Sequence, residues 1–327
     1  MSADVKVRRI KAKLRSGKQV TIPVWIVDSR KKGPCLLLTA AQHGNEVQGI
    51  EAIRRFVEIA SNDMIAGKVT AVPFANLPAI RERRPHIRMR PEQPYGDDRG
   101  HNMNRTWPGR RGGNDTARVS FAIYQAFGEE ATHALDLHCW TATSAPAVLV
   151  RDVPGIRDLS RKLGHRFVQV RPPSDHTLGG YFCATGRIGI TYEFAGQYLV
   201  NEKQVQQGMR VTINMAKAIG LLPGKLIKGE DPILFSDEIQ GVSVTAPCTG
   251  LFVPQKHELC SPVEEGAELG HILSDVDLKC HTIVSPVAGY FSAFGASRKD
   301  CDVALPAQHP YVSKGGVLAK IVYPKKS

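Results

Sequence analysis

Four short stretches of this chain carry residue types able to do chemistry together. His43-Gly44-Asn45-Glu46 stands where an apolar run, CLLLTAA at 35–41, gives way to a helical pattern. A turn of that kind aims an imidazole and a carboxylate at one point from rigid supports. Asp136-Leu137-His138 closes a second apolar run and adds another imidazole. Two histidines and one carboxylate are a ligand type that zinc takes in hydrolytic sites, where a further position stays open. Asp136 shares a strand face with His138 and can orient a ligand ring, whereas Cys139 points to the other face and is not counted. Thr191-Tyr192-Glu193-Phe194 sets a carboxylate among apolar side chains, where a raised pKa suits proton transfer. His101 to Gly109 (HNMNRTWPG) offers Arg105, whose planar fork matches a carboxylate, with asparagines as neutral partners. Taken singly, each stretch also has a plain structural reading. These are a surface His–Glu pair at a helix start, a core histidine, a paired structural glutamate, and a polar loop with arginine packed on Trp107.

Regular elements must hold these groups in place. Residues 1–33 carry alternating stretches around Ser16-Gly17 and predict a β-hairpin or edge strands. The run at 35–41 reads as a buried strand, VQGIEAIRRFVEIA as a helix with apolar residues at three- and four-residue steps, and KVTAVPFA as a second strand. Residues 81–116 are rich in Arg, Pro, Gly and Asp and read as a long functional loop. Residues 117–132 read as helix, and HALDLHC, AVLVRDV, RFVQV and GITYEFAG as strands. NEKQVQQGMRVTINMAKAIGLL reads as a closing amphipathic helix. Strands alternating with helices predict an α/β sheet with its site at the strand ends. After about residue 225 helical periodicity stops, and APCTGLF and SPVAGYF repeat each other weakly. The division expected is a catalytic domain over 1–224, with its hairpin at 1–33, and a smaller all-β domain over 225–327.

Composition narrows the function classes. The chain has 327 residues, 42% hydrophobic and 23% charged, the profile of a globular protein. It has no apolar run of about 18 residues, so no membrane-spanning helix is expected. The basic N-terminus lacks an apolar h-region, and a cytoplasmic location is expected. Seven scattered cysteines without a CxxC pair predict reduced thiols rather than a disulfide framework. A net charge of +12, densest at Arg81–Arg90, fits a cleft that draws in anionic substrates. Without a zinc finger or an RNP-type motif, no nucleic-acid partner is expected.

Together these pieces resemble the succinylglutamate desuccinylase/aspartoacylase family, relatives of the zinc carboxypeptidases. The matching residues are His43-Gly44-Asn45-Glu46, Asn76-Leu77-Pro78-Ala79, Asn104-Arg105, Asp136-Leu137-His138 and Glu193, in the family's order over roughly residues 34–222. The resemblance implies a zinc-carboxypeptidase-like mixed sheet flanked by helices, followed by a smaller all-β domain. It implies one Zn2+ held by His43, Glu46 and His138, with Glu193 as general base and then general acid. Asn104 and Arg105 would hold a substrate carboxylate. An arginine of the Arg83-Arg84 pair, Arg84 by spacing with Arg83 as the alternative, would polarise the scissile carbonyl. Three positions depart from the family pattern. NLPA stands for NPxA, Asn102 replaces an acid, and Cys183 stands ten residues before Glu193 where aspartoacylase has arginine, with Arg187 nearer. The C-terminal part resembles the family's second domain and biotinyl/lipoyl-type folds. It has no MKM-like carrier lysine, which points to a structural or pocket-capping role.

The function expected is deacylation of a small anionic N-acyl amino acid or related amide. A carboxypeptidase acting on peptides and a basic binding protein with a non-catalytic metal site are the alternatives. A homo-oligomer is left open.

Overall fold

The structure is a computed structural model and describes residues 3–90, 93, 100–172, 174, 176–230, 234–296 and 310–325. Cys301 and most of the stretch between Arg90 and Gly100 lie outside the described residues.

The chain opens with β1 (Asp4–Lys13) and β2 (Gln19–Asp28), an antiparallel hairpin turning at Ser16-Gly17. Next come β3 (Cys35–Ala40), α1 (Gln48–Asp63), β4 (Lys68–Val72), α2 (Leu77–Glu82) and a 3-10 turn at Met103–Arg105. They are followed by α3 (Asp115–Ile123), β5 (His133–Trp140), β6 (Ala147–Arg151), α4 (Ile156–Lys162) and β7 (Phe167–Arg171). Last in this half are α5 (Leu178–Ala184), β8 (Ile188–Ala195), α6 (Glu202–Ala218) and the short β9 (Leu234–Phe235). The nine strands form one mixed sheet in the order β1-β2-β4-β3-β5-β8-β6-β7-β9. The central strands β4, β3, β5 and β8 run parallel, and β6 turns antiparallel against β8.

Strand alternation sends side chains to two cores. Leu36, Leu38, Leu135, Leu137, Cys139, Ile190, Tyr192 and Phe194 join Ile53 and Phe56 of α1 and Val211 and Met215 of α6 on one face. Leu37 and Ala134 join Trp107, Val119 and Ile123 of α3, and Leu178 and Phe182 of α5, on the other. Both helices on the first face carry the period expected of a surface helix. Asn201 caps α6 by accepting the Gln204 N–H, so the helix starts where the pattern does. The periodic reading did not find α2, α4 and α5, because six or seven residues are too few to show a helical stripe.

The C-terminal part is a β sandwich. One sheet pairs β10 (Ile239–Thr245), β17 (Val317–Pro324), β15 (Gly289–Phe294) and β12 (Pro262–Val263). The other pairs β14 (Cys280–Val284), β13 (Glu268–Ser274), β11 (Gly250–Pro254) and β16 (Tyr311–Val312). Phe252, Leu269, Ile272, Phe291, Leu318 and Ile321 fill the space between them. Tyr290, Cys260 and Val322 pack on Ala145, Ala147 and Phe167 of the large sheet's edge. The Ala145 N–H donates to Ser292 O at 2.9 Å, and the Phe294 N–H to Thr143 O at 2.9 Å. The sandwich thus braces the segment that leaves β5 just after His138. No helix among the described residues is long and apolar enough to cross a membrane.

Candidate metal centre and active site

The parallel strands β3, β5 and β8 end at one edge of the large sheet, and the turn between β3 and α1 carries His43 and Glu46 over it. Gly44 lets that turn sit flush on the chain behind it. A Cβ there would stand 2.3 Å from the carbonyl carbon of Ala79 and the carbonyl oxygen of Arg84. The Gly44 N–H donates to Pro85 O at 3.2 Å, which fixes the turn.

His43, Glu46 and His138 are buried, and their donor atoms lie within 4.8 Å of one another. His43 Nδ1 is 2.9 Å from Glu46 Oε1, and His138 Nδ1 is 2.8 Å from Glu46 Oε2. Each second ring nitrogen is held from outside, His138 Nε2 by Asp136 Oδ2 at 2.7 Å and His43 Nε2 by Asn102 Oδ1 at 3.1 Å. Both Nδ1 atoms therefore converge on Glu46, with ring orientations fixed from behind, as metal-ligating histidines require. Asp136 is itself locked by Thr39 Oγ1 at 2.6 Å and Gln42 Nε2 at 2.5 Å, and Gln42 Oε1 accepts the Trp107 indole N–H at 2.8 Å. Burial alone would raise the Glu46 pKa, but the attraction of His43 and the hydrogen bonds of both histidines hold it well below the usual carboxylate range. An ionised carboxylate between two oriented imidazoles is a donor set that fits zinc.

Glu193 stands in register with His138 on the neighbouring strand and with Ala147 on the other side. It is 7% exposed, and its Oε2 is buried with no hydrogen-bond partner among the described residues. Burial, reinforced by the charges of Glu46 and Asp136 against the pull of His138, raises its pKa to about 8. A carboxylate with an unmatched oxygen and a raised pKa can carry a proton between two partners.

The other expected residues are placed as follows. The side chain of Asn104 accepts the Leu178 N–H at 3.3 Å and ties its loop to the start of α5, while Arg105 is exposed beside it. Arg84 is half-buried and donates to Met89 O at 2.6 Å. Arg83 ends α2 in a left-handed conformation and is exposed. Cys183 Sγ lies 3.5 Å from Gly189 O. Arg187 points away to the carbonyls of Gly128 and Ala131.

Sequence reasoning missed several neighbours of the centre. Asn102 was noted only as a departure, yet its amide oxygen does the ring-holding on His43. Gln197 donates to Cys139 O at 2.8 Å and to Glu46 Oε1 at 3.3 Å. His86 is buried with its ring centroid 5.3 Å from that of His43, edge to face. The one sequence signal for His86 was a histidine inside the basic run at 81–90. Thr39, Gln42 and Gln197 carried none, because ordinary polar residues announce a role only through their neighbours.

The comparisons with known proteins follow this geometry. The succinylglutamate desuccinylase/aspartoacylase catalytic domain, as a family model, matches residues 32–219. A curated relative, the N-alpha-acetyl-L-2,4-diaminobutyric acid deacetylase of Halomonas elongata, is 33% identical over 119 residues. That stretch covers 36% of this chain and 32% of the relative, so the match spans about a third of the relative's length. Among solved structures, the succinylglutamate desuccinylase/aspartoacylase from Rhodobacter sphaeroides superposes with a TM-score of 0.71 at 21% identity, over 100% of this chain and 97% of that one. The product-bound ectoine utilization protein EutE from Ruegeria pomeroyi does so at 0.70 and 20% identity, over 98% and 96%. These structures share the fold of both parts of the chain, and the family match covers the ligand turn, β5 and β8. The chain belongs to the succinylglutamate desuccinylase/aspartoacylase family.

Proposed function

We propose that this chain is a zinc-dependent amidohydrolase that deacylates a small N-acyl amino acid. The observation that carries the reading is the buried His43–Glu46–His138 set, with Glu193, whose Oε2 has no partner among the described residues, in register beside it. The curated relative is named as a deacetylase of an acetylated amino acid, which favours deacylation over peptide trimming.

His43 Nδ1, Glu46 and His138 Nδ1 would hold the ion. A bound divalent cation supplies Lewis acidity to water and to the amide carbonyl. Glu193 takes a proton from the attacking water and returns it to the leaving amine, so the amine departs neutral. Asp136 and Asn102 keep the two rings aimed while charge shifts across the site. Asn104 and Arg105 take the carboxylate of the amino-acid half, and Arg84 would stabilise the developing oxyanion, for which it must turn from the Met89 carbonyl.

Replacing Glu193 with Gln tests the reading. The expected result is a zinc content equal to wild type with hydrolysis of N-acyl amino acids lost to background. Full retention of turnover overturns the role of Glu193. In the wild type, kcat/KM should rise with pH, because the base must be ionised. A nearby divalent charge lowers a carboxylate pKa, so the acid limb should fall between the ordinary 4.5 and about 8. Faster turnover of C-terminal dipeptides than of acetyl-amino acids would favour a carboxypeptidase instead.

A further inference from the structure

The segment 85–89 touches the reaction centre at three points. Pro85 O accepts the Gly44 N–H of the ligand turn, the His86 ring lies edge-on against His43, and Met89 O accepts the Arg84 guanidinium. Ile87 and Met89 are buried, whereas Arg88 between them is exposed and left-handed, with φ +62°. A residue with a side chain adopts that conformation at a cost, and keeps it only where its surroundings fix it. Arg88 is fixed from both ends. Its N–H donates to Glu82 Oε2 at 3.3 Å, and its guanidinium reaches Asp115 Oδ2 at 2.7 Å. Asp115 is buried in the first turn of α3, and its other oxygen accepts the Arg15 N–H at 2.6 Å from the turn of the β1–β2 hairpin.

Asp115 thus joins three stretches that lie apart in the chain: the hairpin turn, the start of α3 and the segment over the ligand turn. A buried carboxylate that meets an arginine and a backbone N–H is a fixed point, because its desolvation is offset only while both partners stay in place. We propose that Asp115 and Arg88 are a positioning pair for the reaction centre, holding residues 85–89 over the His43 turn and thereby setting the reach of Arg84. The pair acts through Met89. The carbonyl that Arg84 must leave to meet the oxyanion belongs to the residue next to Arg88. The consequence for turnover rests on the amidohydrolase reading. The fastening of the segment does not.

The test compares wild type, Arg88→Gln, Arg88→Lys, Asp115→Asn and the double variant Arg88→Gln/Asp115→Asn, all as full-length zinc-loaded protein. Arg88→Gln leads, since Arg88 is exposed, whereas Asp115→Asn also removes a negative charge from a helix start. On the N-acetyl amino acid that wild type turns over fastest, kcat should fall about tenfold in Arg88→Gln at unchanged KM and zinc content. Slight misplacement of an oriented group costs contacts made only in the transition state. Arg88→Lys should regain part of the loss. The double variant should be no slower than the slower single variant, because both changes break one tie. Hydrogen exchange of the 86–89 amides, read by mass spectrometry without substrate, should quicken in both single variants. Wild-type kcat together with wild-type exchange in Arg88→Gln overturns the pair, as do losses that multiply in the double variant. A raised KM with zinc loss, the mark of general loosening, overturns it too. Faster exchange in both single variants, beside a wild type that hydrolyses no N-acyl amino acid, sinks the amidohydrolase reading and leaves the fastening standing.

Discussion

Around His43, Glu46 and His138 every ring nitrogen and both carboxylate oxygens have a counterpart within 3.1 Å, while Arg151 and Arg171 are registered partners on β6 and β7 with no opposite charge between them among the described residues. The first region is closed on itself through Asp136, Thr39, Gln42, Asn102 and Trp107. Such a network fixes donor atoms in advance, so that binding a cation needs little rearrangement. In the second region Arg151 Nε is buried with no hydrogen-bond partner among the described residues. The difference separates two ways of placing charge. The residues that could hold an ion are fixed by the protein's own contacts, whereas the two arginines have no carboxylate partner among the described residues.

Three substitutions probe that contrast, from the largest expected effect to the smallest. His138→Ala removes a donor and should abolish both bound zinc and hydrolysis. Metal analysis beside an activity assay reads both, and full activity would refute the centre. Asp136→Asn keeps the shape but weakens the hold on the His138 ring, and zinc affinity measured by chelator competition should fall about 10–100-fold. An unchanged affinity would mean that the network does not prepare the ligands. Arg171→Gln relieves the cross-strand repulsion. Stability in a urea melt should rise by about 0.2–1 kcal/mol. A loss of stability instead would show that Arg171 supports the fold, and the contrast between the two regions would fail.

Much of the centre was legible in the chain. HGNE after an apolar run, DLH at the end of another and a glutamate among apolar residues marked His43, Glu46, His138 and Glu193, because metal and proton chemistry uses few residue types. Asn102 stands out in the sequence only as a departure from the family pattern, since an amide in place of an acid changes the charge. In the fold it still accepts a hydrogen bond from His43, where an oxygen matters more than its charge. Arg151 and Arg171 drew no notice, as one arginine at each of two strand ends is unremarkable until the strands lie side by side.

The sequence by itself determined the α/β sheet, the β-rich tail and the candidate donors of the centre, because periodicity and residue chemistry are local. Only the tertiary structure decided which Nδ1 atoms converge, that Asp136, Asn102 and Gln197 support them, and that β6 reverses beside β8. It also decided that two distant arginines become neighbours. Those outcomes depend on strand order and register, which arise from packing the whole sheet at once rather than from any single segment.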